Sequence, residues 1–337
     1  MTKRNHGRSF SFLSYFLVLS VFLCVHPWFL ASPVFAQEVA VNLAEGRVVI
    51  CAAKDGIILA TMDTHSEPGS PPPVVVPLGG LRAGVILGAV EWVQPESKDA
   101  LVRLDAEFPH IAASIRDSPG RQKDPDAASD IEALGVAVLE RLRVLAGQLH
   151  NKINLAENEP LLRIVLADYV DGYGPEAWTL DYTIRQDDLG NDYWRTRVLR
   201  PSYNQLYPPE KGQPHTLVEV RYPPENRAKD DPELLDLLRQ NDSRLANIRT
   251  ANEILAKSVT FVVDGQSQKS LAASDIDFLK SALRAIAPAN AQLTMGYVDF
   301  DRGFQWVLQP PKSALPPPSE TKPQEPGAPS LLHKSGS

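Results

Sequence analysis

Three adjoining stretches near the start of this chain restrict its fold more than anything else in it: Arg47 to Ala53 (RVVICAA), the tripeptide Lys54-Asp55-Gly56, and Ile57 to Thr61 (IILAT). Apolar runs on either side of an Asp-Gly pair form a β-hairpin, because Asp and Gly tolerate the positive φ of a tight connection. Neither run alternates apolar with polar residues. Strands of this kind are covered on both faces, so the hairpin belongs in the middle of a layered fold.

The rest of the chain supplies the layers. Two short strands are expected at Val74 to Leu78 and Ala83 to Val90, divided by Gly79-Gly80. Leu101, Leu104, Phe108, Ile111, Ala112 and Ile115 recur at helical spacing, with Pro109 expected to kink or divide that helix. A second helix is expected from Ser129 to Leu149, with Ser129 and Glu132 as its capping box. Strand-like runs follow at Leu161 to Ala167, Ala177 to Ile184, Tyr193 to Leu199 and Thr216 to Tyr222. The pattern then gives a charged helix from Pro232 to Lys257, a strand from Val259 to Val263, a helix from Asp275 to Ala285, and a closing pair of strands turned by Asp301-Arg302-Gly303. Strands and helices come in blocks rather than in strict alternation, which argues for sheets packed face to face with helices outside and against a doubly wound βαβ fold.

The segment GRVVICAAKDGIILATMD is similar to the first two strands of proteasome-type subunits, and LLRIVLADYVDGYGPEAWTLD (Leu161 to Asp181) resembles the strand pair that follows their two central helices. The resemblance covers the layout of residues 47 to 200. It implies an α/β (α+β) fold, specifically the four-layer αββα sandwich of N-terminal nucleophile hydrolases, and by fold analogy association with further copies of the chain. That family's chemistry needs Thr, Ser or Cys at the mature N-terminus, where the free amine acts as general base. Here the matching position falls at Gly46 or Arg47, and no Ser or Thr lies between Gln37 and Ala60. The family's acid falls at Met62 or Asp63, and its Lys is missing, since none occurs between Lys54 and Lys98. The resemblance therefore implies a relative without the usual catalytic set.

Both ends of the chain differ from its middle. Lys3, Arg4 and Arg8 precede an apolar stretch from Phe10 to Val25, and Val34-Phe35-Ala36 offers small residues where a signal peptidase reads them. Residues 1–36 read as a secretory signal peptide cleaved before Gln37, with a retained N-terminal anchor as the alternative. Export is the expectation, to the periplasm or the outside. Cleavage takes three of the 34 Lys and Arg and none of the 41 Asp and Glu, leaving a net charge of −10. An acidic product of this kind is no nucleic-acid binder, and no further membrane span follows the signal. Residues 37–309 form the expected folded domain. Residues 310–337 hold eight prolines and little apolar surface, which is the composition of a spacer or disordered tail.

Few residues are candidates for chemistry. Cys51 is the only cysteine left after cleavage and the only candidate nucleophile in the opening strand, and self-processing in front of it would make an amide hydrolase, with Asp63 as the acid. Against this, a buried cysteine behaves as a small hydrophobe. Arg195 and Arg197 share one face of a strand with Tyr193 and suit an anionic ligand or simply a solvated face. Asp168, Asp171 and Glu176 surround a turn, where acids are common. His65, His110, His150, His215 and His333 lack metal-ligand spacing, and no cofactor motif occurs. The expected function is an exported, non-catalytic binding or assembly protein for an unidentified protein or small molecule. The alternatives are the Cys51 hydrolase and an anion-binding periplasmic module.

Overall fold

A computed structural model of the chain describes residues 39–53, 55–63, 70–94, 100–117, 127–170, 174–208, 217–224, 234–241 and 273–311. The opening hairpin pairs β2 (Gly46–Ala53) with β3 (Gly56–Asp63), with Ala53 opposite Gly56. Every residue of β3 is buried, as a run without alternation requires.

This hairpin is the centre of a five-stranded antiparallel sheet. β12 (Leu217–Tyr222) borders β2, while β13 (Leu293–Asp299) and then β14 (Gly303–Leu308) follow β3. A second, seven-stranded sheet is built on β5 (Arg82–Val93), which is long enough to pair with β1 (Ala40–Ala44), β4 (Val75–Gly79), β6 (Ala100–Arg103) and β7 (Leu162–Val170). β8 (Gly174–Tyr182) and β11 (Ser202–Tyr207) extend it beyond β7. A two-stranded ribbon, β9 (Ile184–Asp188) with β10 (Trp194–Val198), stands apart.

Alternate residues of the strands point to opposite faces, and this divides the apolar side chains into three clusters. Between the sheets, Val48, Ile50, Ile57 and Leu59 meet Val85, Leu87, Val165 and Ala177. The other face of the larger sheet packs Ile86, Ile164 and Leu180 on α1 (Leu104–Arg116) and α2 (Ala127–Ala146) through Phe108, Leu134, Val138 and Leu142. The other face of the smaller sheet packs Val49, Cys51, Ile58 and Met62 on α3 (Leu234–Asn241) and α4 (Ala273–Ile286). Each fully buried Leu or Ile is worth roughly 1.5–3 kcal/mol of transfer free energy, so both central strands are held from above and below.

The expected four-layer αββα sandwich is not the architecture. The described residues are 49 % strand and 24 % helix, in mostly antiparallel sheets, so this is a β-dominated body with helical patches outside it. The strand content is what the sequence pattern understates. The helix expected from Pro232 to Lys257 is described only as the eight residues of α3, and the strand expected at Val259 to Val263 lies outside the described residues. β1, β6, β9 and β11 are strands that the pattern does not reveal, since short runs such as IRQDD and SYNQLY carry little periodic signal.

Smaller differences have local causes. Leu101 is not helical: the register between β5 and β6 shifts beside it, leaving it 43 % exposed, and the helix begins at Leu104. Pro109 sits inside α1 without dividing it. α2 begins at Ala127, so Ser129 is within its first turn and is not the N-cap of a capping box.

Candidate functional site

The residues singled out in the sequence do not converge. Cys51 is fully buried in β2, among the side chains under α3 and α4. Asp63, 6 % exposed, ends β3 opposite Gly46, whereas Cys51 faces Ile58. Five positions of strand separate the two, roughly 17 Å at the usual rise, so no acid–thiol pair exists. Cleavage before Cys51 would also remove Gly46 to Ile50, the greater part of the strand that joins β3 to β12.

Arg195 and Arg197 do share one exposed face of β10, with Thr196 and Val198 turned inward. The Arg197 guanidinium lies 2.7 Å from the Asp187 carboxylate, which also receives Arg185 at 3.5 Å. Tyr193 stacks on the His150 ring with 4.6 Å between centroids. Ion pairs this exposed contribute about 0–1 kcal/mol. Asp168 is buried and ion-paired to Arg82, opposite Glu176 across the β7–β8 pair; Asp171, His65, His215 and His333 lie outside the described residues. Among the described residues no group of three or more His, Cys, Asp or Glu side chains is placed to hold a metal ion.

A different set of charges is assembled where the two sheets part. On the larger sheet Arg163 of β7 stands opposite Asp181 of β8, and its Nε and Nη2 donate to the two carboxylate oxygens at 2.7 Å each. Arg163 Nη1 then reaches across to the other sheet and donates to the backbone carbonyl of Arg221 at 2.9 Å. On β12 the Glu219 carboxylate accepts from Arg47 Nη1 at 2.7 Å, Arg221 Nε at 2.9 Å and Arg221 Nη2 at 3.2 Å. Its Oε2 also accepts the Leu234 backbone N–H at 3.1 Å. That last bond satisfies one of the donors a helix leaves open at its N-terminus, so a strand carboxylate fixes the start of α3.

These groups border a cleft of about 700 Å³ whose walls come from β7, β8, β11 and β12. Its rim carries the carboxylates of Glu157, Asp181 and Glu219 and the guanidinium groups of Arg163 and Arg221, with Asn158, Thr179 and Asn204 between them. Leu206 and Val220 form the apolar floor, continuous with the core between the sheets. The peptide bonds Tyr207–Pro208 and Tyr222–Pro223, at the ends of β11 and β12, are both cis. Bidentate pairing of the kind Arg163 makes with Asp181 locks both side chains in place. The rim thus offers fixed donors and acceptors of both charges, whereas its only hydroxyl among the described residues, on Thr179, lies on a wholly different strand from Cys51.

No family model matches the chain, and no curated protein does. The site therefore rests on its geometry. Its signal in the sequence was a charge set inside an apolar strand: Arg163 in LLRIVLA, Asp181 in WTLDY, Glu219 and Arg221 in LVEVRY. Charged side chains are seldom buried without partners, so such positions mark an ionic network even before its members can be paired. No helix of the described residues is long and apolar enough to cross a membrane.

Proposed function

We propose that this chain is an exported, non-catalytic binding protein, and that the cleft between β8, β11 and β12 receives its ligand. The observation that carries this reading is the cleft itself, an apolar floor ringed by orientation-fixed groups of both charges. A site of about this size with a few placed polar groups is what ligand pockets commonly look like. The rim suits a ligand with donors and acceptors along its length, and an extended peptide is the chemistry that fits it. Export rests on the reading of residues 1–36 as a signal peptide.

The test is selection from a random octapeptide library on two baits, the wild-type chain and Asn204→Trp, which puts a large ring on the exposed part of the rim. Peptides enriched on the wild type and lost on the variant support the reading. Equal enrichment on both, or none on either, refutes it. Intact mass of the chain recovered from its own cell envelope tests export separately, with a start at Gln37 expected and a full-length mass contradicting it.

A further inference from the structure

A second groove lies beside β14, at the opposite edge of the smaller sheet from β12 and the charged rim, and its lining is mostly apolar. Val75, Val76 and Pro77 of β4 form one wall, Ala106 and Pro109 of α1 another, and Trp306 of β14 closes it, around about 520 Å³; the one charge among the described lining residues, Asp105, is paired with Arg103. The chain runs along the edge of this groove as it leaves β14: Gln309 and Pro310 are part of the lining, and Pro310 is buried whereas Pro311 is exposed. Prolines and an indole face lining one groove are the surroundings in which proline-rich segments dock, because such segments are already extended and lose little entropy on binding.

We propose that this groove is occupied by the chain's own proline-rich segment Ala314-Leu315-Pro316-Pro317-Pro318, packed against Trp306. Three observations single out this occupant. Pro310, itself part of the lining, brings the start of the proline-rich tail to the edge of the groove. Only Lys312 and Ser313 separate the exposed Pro311 from Ala314, so Leu315 lies within roughly 14 Å of Pro311 even when the chain is fully extended. A tether this short gives an effective concentration of order millimolar, enough to half-fill a site that binds a free segment at millimolar strength. The segment is also the most apolar part of the tail adjoining the groove, whereas the residues after it, SETKPQE, are polar.

The experiment uses the full chain and compares it with a full-length variant carrying Pro316→Gly, Pro317→Gly and Pro318→Gly. Acrylamide quenching of tryptophan fluorescence is measured for both, and again in a Trp306→Phe background so that the contribution of Trp306 is obtained by difference. Occupancy in cis predicts that the Trp306 contribution becomes about two-fold more quenchable in the variant, as expected when a site half-filled by its tether is emptied. A synthetic peptide of residues 312–320 at millimolar concentration should then restore the protection. Identical quenching in the two chains overturns the proposal. So does protection that rises with protein concentration, which would assign the groove to the tail of a second copy.

Discussion

Replacing Glu219 by Gln isolates the charge at the centre of the site, because the side chain keeps its shape while losing its ionisation. In the wild type this carboxylate accepts four hydrogen bonds, three from guanidinium groups and one from the first backbone N–H of α3. Arg47 is 1 % exposed and Arg221 8 %, so neither can turn to water when the negative charge goes. Removing one member of a buried ion pair costs about 3–5 kcal/mol, most of it the penalty of the charge left behind. Glu219 itself is 18 % exposed, which places the expected loss at the lower end, about 3 kcal/mol. For a domain of this size each kcal/mol moves Tm by about 2–4 °C, so calorimetry at neutral pH should show a fall of about 6–12 °C. The double variant Arg47→Met, Glu219→Gln should recover more than about 1 kcal/mol of that loss, since one stranded charge is gone with its partner. A loss below about 1 kcal/mol in Glu219→Gln, the range of exposed pairs, would show that the network is solvated and would undermine the view of the rim as a fixed frame.

Three further outcomes follow from the packing. Gly88 has φ +86°, and a Cβ there would lie 2.5 Å from the Leu161 carbonyl oxygen, so Gly88→Ala should cost at least about 2 kcal/mol by urea unfolding; an unchanged midpoint would contradict the close approach. Burial pushes the Tyr182 hydroxyl well above its ordinary range while it donates to the Gly135 carbonyl at 3.0 Å. The protonated form is then favoured in the folded state, so stability is complete below pH 10 and should fall above it by about 1.4 kcal/mol per pH unit for this tyrosine, a slope that Tyr182→Phe should remove. Cys51, fully buried, should react with a thiol reagent only as fast as the protein unfolds, and prompt labelling of the native chain would revive it as a nucleophile.

How much of this was legible beforehand depends on how each residue signals its place. β3 could be read in full, because a run such as IILAT has one stable setting, between two apolar layers, and all eight residues of the strand are in fact buried. β11 could not, because SYNQLY is held by its backbone pairing with β8 and by the side of a cleft, neither of which leaves a period in the sequence. The architecture differs from the expected one for the same reason: edge strands such as IRQDD and SYNQLY leave no period, so the pattern understates the strand content. The functional candidates failed for a related reason. Cys51 stands out in the sequence by its reactivity and Arg195 and Arg197 by their spacing, yet a buried thiol and a solvated ribbon are what their strands make of them. The residues that do converge come from four strands, with only Glu219 and Arg221 sharing one, and no short motif could contain them all. What they share is a charge where the strand pattern wants an apolar side chain, and that conflict is visible in the sequence at Arg163, Asp181, Glu219 and Arg221 before any pairing is known. A strand tolerates such a residue only if the fold supplies its counter-charge: Arg163 finds Asp181 and Glu219 finds Arg47 on other strands, while Arg221 finds Glu219 two places along its own. Followed through, those demands draw β2, β7, β8 and β12 to one place, the mouth between the sheets where the cleft opens.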